Sequence, residues 1–251
     1  IMMEYLGVSY ATIMAAALIP ATLYFLGIFI GTHFEAKRLR ILGLPASELP
    51  HVRQLLKRYG YMLLPLFVIV GTVMIGYTPQ RAAIMGIVTA FAVSLVRAET
   101  RMGLRKIIYV LEQGARVALP VIAAVATAGI IAGVVSMTGL GAKFAASIIA
   151  LSGGYLFLAL FFTMIACLVL GMGLPTTANY VVTATVAAPA LINGFDLAPI
   201  AVHMFVFYFG IVADITPPVC LAAYAGAGIA RANPFKSGVT AVKLAIAAFI
   251  I

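Results

Sequence analysis

The stretch LGMGLPTT, residues 170–177, decides the fold. Gly171 and Gly173 each weaken a helix by about 1 kcal/mol and permit backbone angles closed to other residues. Pro175 removes a donor and biases Leu174 away from helical angles. The stretch lies between two apolar arms, YLFLALFFTMIACLVL (155–170) and ANYVVTATVAAPALI (178–192). Neither arm suits a loop in water. Backbone stripped of helix is tolerated at membrane depth only where protein buries it or water reaches it. The stretch therefore reads as the tip of a re-entrant helical hairpin spanning 155–192. A second interruption follows: IAVHMFVFYFGIVA (200–213) meets DITPP (214–218) before VCLAAYAGAGIA (219–230). This reads as one broken transmembrane helix, 199–230. Paired discontinuous helices are the best sequence pointer to a solute and ion site in a secondary transporter.

Composition sets the class. Of 251 residues, 64% are apolar and 9% charged, with mean hydropathy +1.16; soluble domains carry roughly 25% charged residues. The apolar runs are long and do not alternate, so the expectation is an all-α polytopic membrane protein rather than a barrel. The net charge of +9 does not point to nucleic acid, because most of the 16 basic residues fall in two interhelical loops, 37–58 and 97–106. Cys167 and Cys220 both lie in apolar segments and form no CxxC, so they read as packing residues. No signal peptide is visible. The chain begins at Ile1, and its last apolar segment, 237–251, is shorter than the roughly 20 residues a span needs. It reads as part of a longer protein that stops at the start of a truncated helix.

In chain order, 8–32 is the first span, with a kink expected at Pro20. The loop HFEAKRLRILGLPASELPHVRQLLKRYG (33–60) is cytoplasmic by its basic residues, with Leu39, Ile41, Leu42, Leu44, Leu55 and Leu56 available to the interface and His33 and His51 as solvated loop residues. Segments 61–77 and 82–96 form a pair of spans about the turn 78–81. The second basic loop, 97–116, holds an amphipathic helix LRKIIYVLEQGAR expected to lie on the membrane surface. Segment 118–137 crosses outward and is rich in small residues that permit close helix packing. A short helix between glycine turns, 139–154, follows. Residues 1–154 thus read as scaffold-type helices and 155–236 as a transport-type unit. No Lys or Arg occurs between 152 and 230. An ordinary cytoplasmic turn at LGMGLPTT would lack the basic residues such turns carry, which favours the re-entrant hairpin.

Thr176, Asn179 and Thr183 recur at helical spacing on one face of the second arm. Their oxygens suit a cation, or satisfy broken backbone. The arm's N-terminus favours an anion. Asp214 is the acidic residue of the apolar part of 151–230; Asp196 falls in a loop. A mid-membrane carboxylate costs about 2.5–3.5 kcal/mol. A cation about 4 Å away returns about 4 kcal/mol at an effective dielectric of 20. Bound Na+, protonation and a structural role capping the 216–218 turn all remain open for Asp214. His203, eleven residues earlier, is not placed to pair with it directly and reads as a packing residue. An intramembrane enzyme using His203 and Asp214 lacks a nucleophile or metal-ligand cluster; no P-loop, HExxH or nucleophile elbow is present.

GMGLPTTANYVVTATVAAPAL and HMFVFYFGIVADITPPVCLAAYAGAGIARANPFKSG resemble the fused permease of tripartite ATP-independent periplasmic (TRAP) transporters, supported by HFEAKRLRILGLP and MTGLGAKFAASIIALSGG. The resemblance covers essentially the whole chain. It implies an ion-transporter-superfamily-like fold with inverted repeats, of which this chain holds one, moving as an elevator in a bacterial or archaeal cytoplasmic membrane. It also implies Na+-coupled uptake of an organic anion such as a carboxylate, an extracytoplasmic solute-binding protein, a small membrane subunit, and no organic cofactor. Carried onto this sequence, Gly171, Gly173, Asp214 and Thr216 attend Na+, and Thr176, Thr177, Asn179 and Thr183 attend the substrate. A proton-coupled carrier using Asp214 and a non-transporting membrane scaffold are the alternatives.

Overall fold

The computed structural model describes residues 1–41, 43, 45, 49, 51–97 and 100–250, and among these the chain is helix and turn with no strand. The all-α, polytopic membrane architecture expected from hydropathy is what the chain adopts. Its helices are α1 (Met2–Leu6), α2 (Tyr10–Arg38), α3 (Val52–Tyr59), α4 (Leu64–Met74), α5 (Pro79–Ser94), α6 (Leu104–Thr138), α7 (Leu140–Ser152), α8 (Leu156–Gly171), α9 (Thr176–Val186), α10 (Ala188–Phe195), α11 (Pro199–Val212), α12 (Leu221–Ala230) and α13 (Pro234–Leu244). The chain divides into two compact units: one of residues 8–14 and 36–118, the other of 1–7, 15–35 and 119–251.

The first of these units is built on the antiparallel pair α4 and α5. Thr78 caps α5, its hydroxyl accepting from Arg81 N, and Pro79 occupies the first turn, where a missing N–H costs nothing. Gly86 lets the pair close: a β-carbon there would lie 2.5 Å from the Ile69 side chain. A short 3-10 segment, Gly60–Leu63, joins α3 to α4, so that Val52–Met74 is long and apolar enough to cross a membrane.

The other unit holds both helix interruptions. Its core gathers Ala145 and Ile148 of α7, Ala159 and Cys167 of α8, Leu191 of α10, and Val202 and Val206 of α11. Along α8 the buried residues Ala159, Thr163, Cys167 and Gly171 recur every fourth position, a narrow stripe of small side chains facing its neighbours. Gly27 and Gly31 of α2 make a similar close contact. A β-carbon on Gly27 would fall 2.6 Å from Ala247 Cβ, and one on Gly31 would fall 3.3 Å from Leu244 O.

Several boundaries differ from the sequence reading. Helix α2 continues through Pro20 and on through HFEAKR to Arg38, because a basic C-terminal turn suits the helix dipole. Pro20 has no N–H to offer the preceding turn, and the Tyr208 hydroxyl donates to Ala17 O at 3.0 Å. The amphipathic segment expected to lie separately on the membrane is continuous with the following span in α6. The second hairpin arm is itself split at Ala187, because Pro189 cannot donate to the turn before it. Helix α13 starts at Pro234, capped by the Asn233 side chain accepting from Lys236 N, and ends at Leu244 rather than entering a longer helix at 237. The proposed interfacial residues Leu42 and Leu44 lie outside the described residues.

The glycine contact yields a stability prediction. Gly27→Ala forces two β-carbons together, a clash no rotamer relieves, at about 1–3 kcal/mol. Gly71→Ala, with open space at its β-carbon, serves as the reference. In detergent, thermal unfolding of Gly27→Ala is expected below that of Gly71→Ala; equal midpoints would refute the contact.

Candidate functional site

Both interruptions occur where glycine and proline place them. Helix α8 stops at Gly171, Gly173 takes a left-handed φ of 74°, and α9 starts at Thr176 behind Pro175. Helix α11 gives way at Val212 to a 3-10 turn, Ala213–Ile215, and α12 begins only at Leu221. At about 1.5 Å per residue, the 16 residues of α8 reach about 24 Å, short of the roughly 30 Å hydrocarbon layer. The other helices flanking the two breaks are shorter still.

The two breaks are neighbours. A β-carbon on Gly173 would sit 3.7 Å from Val219 Cγ1. Behind them, α8, α9 and α11 converge on Asn179, which is 1% exposed. Its Nδ2 donates to Gly210 O at 2.6 Å. Both flanking positions are glycine by necessity. A β-carbon on Gly171 would lie 2.6 Å from Asn179 Nδ2 and 2.9 Å from Gly210 O, and one on Gly210 would lie 2.6 Å from Asn179 Oδ1. The carboxamide therefore occupies space that two side chains have vacated. Its Oδ1 is buried with no hydrogen-bond partner among the described residues, as is Thr163 Oγ1. Buried acceptors of this kind are rare and call for an explanation.

Several backbone groups of the breaks find partners locally. Thr216 Oγ1 donates to Val212 O at 2.7 Å, and Cys220 N donates to Thr216 O at 3.2 Å. The Tyr224 hydroxyl donates to Pro218 O at 2.8 Å. Leu174 N donates to Gly171 O, and Asn179 N donates to Pro175 O. Gly238 of α13 backs the second break, where a β-carbon would meet Cys220 Sγ at 2.5 Å.

The residues singled out in the sequence thus separate into groups. Gly171 and Asn179 meet in the buried wedge. Gly173, Thr176 and Thr177 are exposed at the tip, with Thr176 and Thr177 in the first turn of α9. Asp214 and Thr216 are half-buried at the second break. Thr183 is fully buried and spends its hydroxyl on Asn179 O and Tyr180 O. No group of three or more His, Cys, Asp or Glu converges among the described residues. Sequence reasoning missed Gly210, although it is the one glycine in an otherwise bulky apolar run. It also missed Tyr180, whose hydroxyl meets His203 Nδ1 at 2.7 Å; both side chains are buried, so His203 is a packed, hydrogen-bonded residue joining α9 to α11.

Removing the wedge has a defined cost. Asn179→Ala removes the inter-helix bond to Gly210 O, which keeps only the Ala213 N–H, at about 0.5–1.5 kcal/mol for the bond, and leaves the space between Gly171 and Gly210 unfilled. Gly171→Ala drives a β-carbon against a carbonyl that cannot rotate away, at about 1–3 kcal/mol. Both variants are expected to unfold earlier on heating than the wild type in the same detergent. Wild-type midpoints in both would show that the wedge does not hold these helices.

The sequence matches the family model described as tripartite ATP-independent periplasmic transporter, DctM component, over residues 1–251. No curated protein and no solved structure matches the chain. With that match running from end to end, the chain belongs to the DctM family of tripartite ATP-independent periplasmic transporter components.

Proposed function

We propose that this chain is permease-subunit sequence of a Na+-coupled, binding-protein-dependent secondary transporter that takes up an organic anion such as a carboxylate by an elevator-type movement. The observation that carries the reading is the adjacency of the two breaks, Gly173 beside Val219, above the buried Asn179 wedge. Helices too short to cross the hydrocarbon layer, ending against each other, are the arrangement by which membrane carriers expose half-helix ends and oxygens to a solute at depth.

In this reading the first turn of α9 faces the anion. Its unpaired N–H groups and the exposed hydroxyls of Thr176 and Thr177 present donors where the helix dipole is positive. Na+ is cargo and prefers oxygen. The Asp214 carboxylate and the unwound backbone around Gly171, Gly173 and Thr216 supply oxygen at the breaks. Asn179 and Thr183 act behind them, holding the arms rather than touching solute. The partners are an extracytoplasmic solute-binding protein and a small membrane subunit, in the bacterial or archaeal inner membrane.

Uptake into liposomes carrying the complete permease and its binding protein tests this. Transport is expected to require an inward Na+ gradient. Asp214→Asn is expected to raise the Na+ concentration for half-maximal uptake roughly tenfold, and Thr176→Ala to raise the substrate concentration for half-maximal uptake roughly tenfold, each the effect of losing about 1.4 kcal/mol of binding. Uptake that survives without Na+ and follows a pH jump instead would favour proton coupling through Asp214 and contradict the proposal.

A further inference from the structure

A pocket of about 440 Å³ opens between α1, α6, α9, α10 and α11, with all of its lining inside one compact unit. No Lys, Arg, Asp or Glu lines it. Its apolar lining is small, with Ala184, Ala188 and Pro189, and its polar groups are Tyr5, Ser136, Thr185 and His203. A mostly apolar wall with a few placed polar groups is the composition of a small-molecule site. The pocket is separate from the helix breaks: Thr185 is nine residues beyond Thr176, about 13 Å along α9.

The hydrogens follow from which groups have partners. Thr185 Oγ1 donates to Val181 O at 2.7 Å, so at their 3.3 Å contact the Tyr5 hydroxyl donates to Thr185 Oγ1 and keeps its own lone pairs. The Tyr180 O–H has no acceptor among the described residues other than His203 Nδ1, 2.7 Å away. It therefore donates there, which puts the ring hydrogen of the neutral imidazole on Nε2. His203 is 6% exposed, and its Nε2 has no hydrogen-bond partner among the described residues. Ser136 is uncommitted too. Thr127 and Thr138 on the same helix donate back to Ala123 O and Val134 O, whereas the Ser136 hydroxyl makes no hydrogen bond among the described residues.

The pocket thus offers an N–H that donates, a hydroxyl that gives or accepts, and a phenol oxygen that accepts, on an uncharged wall. The elements packed on α11 bring the Tyr5 and Tyr180 phenols and, from α8, the Cys167 thiol. Glu4 of α1 is exposed and paired with the Ile1 amine at 3.3 Å, and Asp214 is eleven residues along the chain. A carboxylate in this pocket would bring a charge that no lining cation matches, which burial makes costly. A carboxamide brings no charge. Its carbonyl suits an N–H donor, its own N–H suits a hydroxyl oxygen, and its hydrocarbon part suits the small apolar lining. An undissociated carboxylic acid carries the same pair of groups.

We propose that this pocket binds a small neutral ligand with a carbonyl beside an N–H or O–H donor, the carbonyl accepting from His203 Nε2 and the donor turned to Ser136. The site stands whether or not Na+ is the coupling ion.

The test titrates the full-length permease in detergent with butyramide and reads binding by saturation-transfer NMR of the ligand. The wild type is expected to bind in the millimolar range. His203→Phe and Ser136→Ala each remove one bond to the ligand and are expected to weaken binding roughly fivefold. A β-carbon at Gly133, on the pocket wall, meets open space, so Gly133→Leu fills the pocket and is expected to abolish binding. Gly129→Leu, one turn earlier, is equally open at its β-carbon and outside the lining, and leaves binding unchanged. Butyrate has the same shape with a charge. Relative to butyramide at the same pH, its affinity is expected to rise roughly thirtyfold from about pH 7 to about pH 5.5, as an acid with a pKa of about 4.3 regains its proton. The proposal is overturned by no saturable binding to the wild type, by binding untouched in Gly133→Leu or lost equally in Gly129→Leu, or by undiminished affinity in both His203→Phe and Ser136→Ala. Butyrate bound as tightly as butyramide at pH 7 would overturn it too, by showing a site for the anion. Should His203→Phe fail to fold, Ser136→Ala, at an exposed position, and Gly133→Leu still decide.

Discussion

Backbone amides and carbonyls freed from a helix have no water to turn to inside a bilayer, so every interruption of a membrane helix must be repaired by something nearby. In this chain the repair centres on one side chain. Asn179 sits between Gly171 and Gly210, bonded to a carbonyl of α11 while rooted in α9 and pressed on by the end of α8. Much of the rest follows from making room for it. The small stripe along α8 lets three helices approach, and Thr183 turns inward to its own helix. Losing this side chain removes the polar link between α9 and α11 and empties the space that two glycines vacate for it.

On the proposed function, the wedge is the base behind the exposed residues at the two breaks. Left-handed Gly173, exposed Thr176 and Thr177 and half-buried Asp214 make few contacts of their own. They are placed by the buried residues behind them. Local hydrogen bonds at the second break, from Thr216, Cys220 and Tyr224, satisfy specific carbonyls and leave the Asp214 carboxylate uncommitted to any cation among the described residues. In that reading the buried base preorganises the residues at the breaks for an ion or anion.

How much of this was legible in the sequence depended on the range of the signal. Glycine and proline act on their own backbone, so the breaks near Gly171–Pro175 and Pro217–Pro218 could be located from composition alone. Long-range complementarity could not. Nothing in a single sequence pairs Asn179 with Gly210, thirty-one residues away, or seats Tyr208 against Ala17. Charge misled in two places. Basic residues at the end of α2 and the start of α6 suggested loops, yet cations are welcome at a helix C-terminus, and an amphipathic turn can continue into an apolar span without a break. Pro189 was passed over because it stood in an apolar run, although it splits the second arm by the same physics that breaks the first.

Disulfide trapping in membranes measures the adjacency of the breaks most directly. Cysteines replace Gly173 and Val219 in a background where Cys167 and Cys220 are alanine, and mild oxidant is added to the full-length permease. A β-carbon at Gly173 would lie 3.7 Å from Val219 Cγ1, the place a cysteine sulfur would take, with Val219 Cβ beyond 4 Å; a small approach then brings the pair to the about 3.5–4.5 Å between β-carbons that a disulfide needs. The account predicts rapid bridging of the double variant, reversible by reductant and absent from either single variant. A double variant that reaches the membrane, reacts with a thiol reagent at both positions and still does not bridge would place the two breaks apart and contradict it.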